Sequence, residues 1–320
     1  MNARATRTLL AVMALLAPPG ASRAEPATVA VTPQQVAPHS YFVQGRTGAA
    51  SSENQGYMSN AGFVVTQDGV VVFDALGSPP LGEALIAAIR KITTQPVKRV
   101  VVSHYHADHF YGLQAFKAVG AEIWAHRAAL EYLNSDIAAS RLAERRQTLF
   151  PWIDEKTRLV PADLWLDGDT VFELGGIHFL ITHAGPAHSP EDLIMQVRED
   201  GVLFAGDLLF AGRVPFVGDA DSKSWIAAID KMLAARPKLI VTGHGPASRA
   251  AETDLATTRE YLAYLRKVMG AAVEDFVPFE EAYDRADWSR FSGLPAFAGA
   301  NRINAYGTYL LLERESLQKK

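Results

Sequence analysis

Val97-Lys98-Arg99-Val100-Val101-Val102-Ser103-His104-Tyr105-His106-Ala107-Asp108-His109 is the stretch that decides how this chain folds and what it can do. Its first half is a β-branched apolar run, the pattern of a buried strand. Its second half puts three imidazoles and a carboxylate into six consecutive residues. Side chains alternate along extended backbone, so His104 and His106 can face the same way. Imidazole and carboxylate suit zinc and similar divalent ions. Such a polar cluster at the end of an apolar strand is costly without a charge to bind. A chance polar loop is the competing account.

Three further residues sit in matching contexts. His188 lies in Gly185-Pro186-Ala187-His188-Ser189-Pro190, Asp207 in Phe204-Ala205-Gly206-Asp207-Leu208, and His244 in Thr242-Gly243-His244-Gly245. Asp207 and His244 each closely follow an apolar strand, and the neighbouring glycines allow close backbone approach. Each alone is a weak signal, because a lone His is more often structural and an Asp after Gly more often a turn residue. With the first cluster they make a complete ligand set.

Outward from these motifs, the pattern predicts strands at 62–66 and 70–73 around a tight turn. A helix follows over 81–92, a strand over 97–103, a helix over 112–119, a strand at 122–124 and a mostly helical stretch over 126–150. Strands are expected at 171–174, 177–182, 193–197, 202–205 and 238–242. A helix over 222–235 is expected to be capped by Ser222. The chain from 250 onward reads as helical, with Leu255, Leu262, Leu265 and Met269 in one stripe. Strands and helices alternate twice, which suits a layered α/β protein with two sheets inside and helices outside. The charged run Arg141, Glu144, Arg145, Arg146 reads as a solvated helix face rather than an anion site.

The ordered set H-x-H-x-D-H, then His, then Asp, then His, resembles the metallo-β-lactamase superfamily, with glyoxalase II and related dinuclear hydrolases the nearest pattern. The resemblance spans residues 58–247. The wording Asn60-Ala61-Gly62-Phe63-Val64-Val65-Thr66 and Gly212-Arg213-Val214-Pro215-Phe216-Val217-Gly218 also resembles the quinoprotein relay system zinc metallohydrolase branch. The resemblance implies a four-layer αββα sandwich of two mixed β-sheets flanked by helices. It implies two divalent metal ions, Zn2+ with Fe or Mn as alternatives. His104, His106 and His188 would hold the first, and Asp108, His109 and His244 the second, with Asp207 bridging. Asp108 would also orient the attacking water and take its proton. No cysteine is present, so the cysteine ligand of one lactamase group has no counterpart. The family's paired Gly after the first motif is replaced by Phe110-Tyr111-Gly112, which puts the substrate contacts there in doubt. Asp74 is a candidate to hold an imidazole from outside, with a loop-capping role equally open. Tyr105, Phe110, Tyr111, Arg213 and Phe216 could shape a pocket, with core packing as open for the aromatics. His39, His126 and His178 have no motif context, and His183 reads as structural or as a support to the ligands.

Composition bounds the rest. The chain has 320 residues, 48% hydrophobic and 21% charged, enough for a sizeable core. The net charge of −4 argues against a nucleic-acid partner. Arg4 and Arg7, the apolar run Leu9–Ala17, the Pro18-Pro19-Gly20 break and Ser22-Arg23-Ala24 read as a cleavable signal peptide over 1–24. The periplasm is then the expected location, with no stable membrane insertion after cleavage. A linker is expected over 25–40, the catalytic domain over 41–249 and a helical extension over 250–320. The leading functional expectation is an exported zinc-dependent hydrolase of an ester, thioester or lactam, acting on a small molecule. The alternatives are a β-lactamase, a mono-iron persulfide dioxygenase-like oxidoreductase, and a non-catalytic periplasmic partner of a quinoprotein dehydrogenase.

Overall fold

A computed structural model describes residues 29–218 and 220–318 of the chain. The expected signal segment, 1–24, lies outside the described residues.

The first half builds one sheet and its covering helices. Its elements are β1 (Gln34–Gln35), β2 (Ser40–Val43), β3 (Ala61–Val65), β4 (Val70–Phe73), α1 (Pro79–Arg90), β5 (Val97–Val101), α2 (Ala107–Phe110), α3 (Leu113–Ala118), β6 (Glu122–His126), α4 (Ala129–Leu133), α5 (Asp136–Thr148) and β7 (Leu164–Leu166). The strands pair in chain order, antiparallel from β1 to β4 and parallel from β4 to β7. The second half contributes β8 (Thr170–Leu174), β9 (Ile177–His183), β10 (Leu193–Val197), β11 (Val202–Phe204), a short 3-10 turn (Gly206–Leu208), α6 (Ser222–Ala234), β12 (Leu239–Val241), α7 (Ala251–Glu274), α8 (Phe279–Arg285) and α9 (Phe297–Gln318). This sheet runs β12-β11-β10-β9-β8, antiparallel except for the parallel pair β11–β12. Both sheets are mixed, as expected.

Three apolar clusters explain the layering. Strands buried on both faces read as continuous apolar runs, and β4 (Val70-Val71-Val72-Phe73) is buried throughout. Val70 and Val72 pack with Leu81, Leu85 and Ile89 of α1 and Phe116 of α3. Val71 and Phe73 point the other way, into a core shared with Phe179, Met195 and Phe204 of the second sheet. The far face of that sheet, with Leu203 and Ile240, packs on Trp225 and Ile229 of α6 and on Leu255, Leu262, Leu265 and Met269 of α7. The result is helix, sheet, sheet, helix. Gly62 permits the sheets to approach: a Cβ there would lie 2.1 Å from the Phe204 ring.

Three details differ from the sequence reading. The stretch 25–40, read as a linker, supplies β1 as a two-residue edge strand. Residues 41–58, which carry little pattern, contain most of β2, recruited by pairing with β3. The cap of α6 is Asp221, not Ser222: its carboxylate accepts from Lys223 N at 3.1 Å and Ser224 N at 2.9 Å. A carboxylate is a charged acceptor matched to the positive helix end. Ser222 is buried instead, and its hydroxyl accepts from the Arg266 guanidinium, which also pairs with Glu315.

Phe179 is fully buried between the sheets and stacks on Phe172 at 4.7 Å. Phe179→Ala is expected to destabilise the protein by about 3–5 kcal/mol, read by denaturant unfolding at fixed metal concentration.

Candidate metal centre

The seven residues singled out from the sequence converge at the ends of strands from both sheets. β5 runs out at Val101, and His104 and His106 follow, His106 in extended backbone. The chain then turns into α2, with His106 as its N-cap. Successive helical residues are about 100° apart, so Asp108 and His109 face different ways. His188 comes from the loop between β9 and β10, Asp207 from the 3-10 turn after β11, and His244 from the loop after β12.

Two donor groups result. His104, His106, His188 and Asp207 form one and Asp108, His109 and His244 the other, with donor atoms inside 4.8 Å of one another in each. In the first, His104 Nε2 and His188 Nε2 each lie 3.0 Å from His106 Nδ1. Donors about 2.05 Å from a tetrahedral ion would sit about 3.3 Å apart, so this spacing fits an ion. Asp207 stands between the groups. Its Oδ2 is 3.4 Å from His188 Nε2 and 3.3 Å from His244 Nε2, and its Oδ1 is 3.2 Å from His109 Nε2. That last pair lacks hydrogen-bond alignment, so both atoms are buried without a hydrogen-bond partner. Buried polar atoms left this way are expected where an ion is to be bound. Asp108 Oδ2 completes the second group, 3.6 Å from His109 Nε2 and 3.3 Å from His244 Nε2.

The outer ring nitrogens are held from behind. His109 Nδ1 donates to Asp74 Oδ2 at 2.8 Å, His188 Nδ1 to Phe216 O at 3.1 Å, and His244 Nδ1 to Met58 O at 2.8 Å. Ser103 Oγ donates to Asp74 Oδ2 at 2.8 Å and thereby accepts from His104 Nδ1 at 2.9 Å. Each contact leaves the inner Nε2 lone pair free for an ion. Asp74 therefore serves both open roles, because it also caps the strand end through Ser103 N at 2.7 Å.

The metal-free site divides electrostatically. Burial drives His104 well below the usual imidazole value and His188 down to about 3, so both are neutral donors. Burial opposes charge at His109 and His244 as well, but carboxylates outweigh it. Asp207, Asp108 and Asp74 hold His109 well above its usual value, and Asp207 and Asp108 push His244 up to about 9. Burial would raise Asp108 and Asp207, but His109 and His244 hold both low. Two imidazoliums and two carboxylates thus neutralise one another where a second ion would sit.

Sequence reasoning missed the groups that fix the loops. Asn60 Nδ2 donates to Thr242 O and Gly245 O, both at 2.8 Å, tying the His244 loop to the first sheet. Asn304 of α9, fully buried, accepts from Val217 N at 2.8 Å and donates to Pro215 O at 2.7 Å. It brackets Phe216, whose carbonyl orients His188. Asn304 lies 60 residues beyond the last motif, and no local signal marks it. Polar Asn301, Asn304 and Thr308 at helical spacing on one buried face are the cue that could have found it. Gly243 is as tightly fixed: a Cβ there would fall 1.9 Å from Asp207 Oδ1. Tyr105, Phe110 and Tyr111 are all buried in the first core cluster, and of the three Tyr105 also lines a cavity beside the site. Arg213 is half-buried near the Asp207 charge. The other histidines pair elsewhere: His39 with Asp200, His178 with Glu199, and His183 stacked on His126 at 3.6 Å.

Residues 54–244, more than half of the chain, match the family model described as the metallo-beta-lactamase superfamily. A linear primary-alkylsulfatase of Pseudomonas sp. (strain ATCC 19151) is 25% identical over 63% of the chain. The chain spans only 45% of that relative's length. The probable metallo-hydrolase YqgX of Bacillus subtilis (strain 168) is 25% identical over 65% of the chain and 92% of its own length. Among solved structures, the sec-alkylsulfatase Pisa1 of Pseudomonas sp. superposes with a TM-score of 0.69 and 19% identity, covering 88% of the chain and 50% of that protein. This last likeness concerns the fold alone.

Three outcomes follow from the charge division and the loop clamps. Zinc uptake at pH 7 is expected to release protons from His109 and His244, read by calorimetry in buffers of different ionisation enthalpy; uptake without proton release would contradict the charged pair. His244 sits above its unfolded value of about 6.5, so its contribution to metal-free stability is complete below that pH. It is lost as pH rises through about 9, read as a falling Tm across that window. Asn304→Leu is expected to weaken metal binding about tenfold or more by freeing the Phe216 carbonyl, read by competition with a chromophoric chelator.

Proposed function

We propose, from the premise that this chain belongs to the metallo-β-lactamase superfamily, that it is a hydrolase whose seven convergent residues hold two divalent ions. The observation that carries this reading is the position of Asp207, within 3.4 Å of imidazoles from both donor groups. A carboxylate so placed can serve two ions at once. Ions in these positions would supply a water acidic enough to act as a nucleophile near pH 7, and Lewis acidity toward the bond attacked.

The protein's own part is positional. His104, His106 and His188 present neutral nitrogens, and Asp74, Ser103 and the Phe216 and Met58 carbonyls hold the rings in register. Asp108 is the more accessible of the two site carboxylates, its side chain 20% exposed against 5% for Asp207. One Asp108 oxygen faces His244 and His109. The carboxylate can orient the attacking water and take its proton. The assigned ions are zinc, with iron or manganese as alternatives.

The substrates proposed are small molecules with an ester, thioester or lactam bond, and the name of the alkylsulfatase relative adds sulfate esters. β-Lactam opening belongs to the same chemistry. A mono-iron oxygenase reading is disfavoured because the second donor group, Asp108, His109 and His244, is complete. The complete set equally disfavours a purely non-catalytic partner of a quinoprotein system. Export through the 1–24 segment to the periplasm is part of the proposal; no described helix is long and apolar enough to cross a membrane.

Zinc-loaded protein is expected to turn over at least one of nitrocefin, an aryl ester, a thioester and an alkyl sulfate. His106→Ala should lower kcat/KM by about 100-fold or more. Equal rates for wild type and variant on every substrate would sink the reading. Elemental analysis should return two divalent ions per chain, and a single iron would replace the dinuclear assignment.

A further inference from the structure

A cavity of about 380 Å³ opens beside the metal centre, with His106 and His188 in its wall. Most of its lining is apolar, including Ile137, Pro186, Ala187 and Ala220. Arg141 of α5 also lines it, half-buried. The helix carrying it divides its basic residues sharply. Arg146 is engaged, donating to Asp154 O at 3.0 Å and Thr157 O at 2.8 Å. Among the described residues, the Arg141 side chain makes no hydrogen bond and no ion pair. Its charge still reaches His106 and Tyr132. Tyr132 lines the same cavity, and its hydroxyl is buried without a hydrogen-bond partner.

The acids of the cavity do not neutralise this arginine. Glu191 accepts from Tyr105 N at 3.0 Å. Asp221 is committed to the cap of α6. Glu131 is exposed on the rim. A guanidinium left unpaired at a half-buried site is poised for an oxyanion, which it binds through paired N–H donors. The apolar remainder of the wall suits an apolar body between that anion and the ions.

We propose that Arg141 is a specificity-determining residue that recognises an oxyanion on the substrate, remote from the bond cleaved, so that the preferred substrate is an anionic amphiphile. This rests on the hydrolase reading for its consequence, though the binding itself can be measured without turnover. It revises the sequence reading of the Arg141–Arg146 run as a solvated face.

The test uses metal-loaded protein and two arms. In the first, binding of 4-phenylbutyrate is compared with that of the neutral 4-phenylbutanamide by calorimetry. Wild type should prefer the carboxylate by about tenfold or more. Arg141→Ala and Arg141→Gln should abolish the preference, and Arg141→Lys should keep part of it. In the second arm, 4-nitrophenyl butyrate is compared with the mono-4-nitrophenyl ester of glutaric acid. The ratio of their KM values should collapse toward one in Arg141→Gln, with kcat for the charged ester changing far less than KM. No carboxylate preference in wild type, or an undiminished preference in both Arg141→Ala and Arg141→Gln, overturns the proposal. If neither ester is hydrolysed, ester hydrolysis fails while the binding arm still decides the role of Arg141.

Discussion

Asp207 is a carboxylate buried among imidazoles, and four of the five histidines in the site approach it. His109, His244 and His188 lie 3.2–3.4 Å away and His104 lies 3.9 Å away. A negative charge in such surroundings survives only with positive partners. Without metal, His109 and His244 supply that charge as imidazoliums; with metal, ions would supply it. Everything around the centre can be understood as what keeps this carboxylate and its imidazoles at these distances. The parallel pairing of β11 with β12 brings Asp207 and His244 to one edge. Gly243 removes the side chain that would otherwise push Asp207 away.

The two sheets carry unequal duties. The first supplies the dense motif and, through Asp74 and Ser103, a rigid base for His104 and His109. The second supplies single candidate ligands on separate loops, two of which are held by an outside tether. Asn60 ties the His244 loop to the first sheet, and Asn304 ties the loop behind His188 to the helical extension. The extension is therefore coupled to the centre through hydrogen bonds rather than merely packed on its flank. Its buried chain from Tyr283 through Asn301 and Tyr261 to Asn304 is held at 2.8–3.1 Å at each step. Such satisfied networks fix one arrangement of the groups they join.

Charge is also distributed by purpose along α5. Arg146 closes a loop by bonding carbonyls. Arg141, five residues earlier, has no side-chain partner among the described residues and lines a cavity shared with His106 and His188. The charged run of this helix reads as one solvated face in sequence because identical residue types serve different neighbours.

The sequence by itself determined the candidate ligand residues, the alternation of strands and helices, and the layered class of the fold. These were legible because strand periodicity is local, because four ligand-type residues follow one apolar strand, and because three more stand in Gly-bearing loops or turns. The short strand β2 and edge strand β1 were not legible, because pairing with β3 rather than intrinsic pattern makes them strands. The cap at Asp221 was missed by one residue, since two adjacent oxygen-bearing side chains compete and only packing buries Ser222. Only the tertiary structure decided that Asp207 stands between the two donor groups and that Asn304 reaches the His188 loop. It alone left the Arg141 side chain without a partner among the described residues. Each of these depends on distances between segments far apart in the chain, which no local pattern encodes.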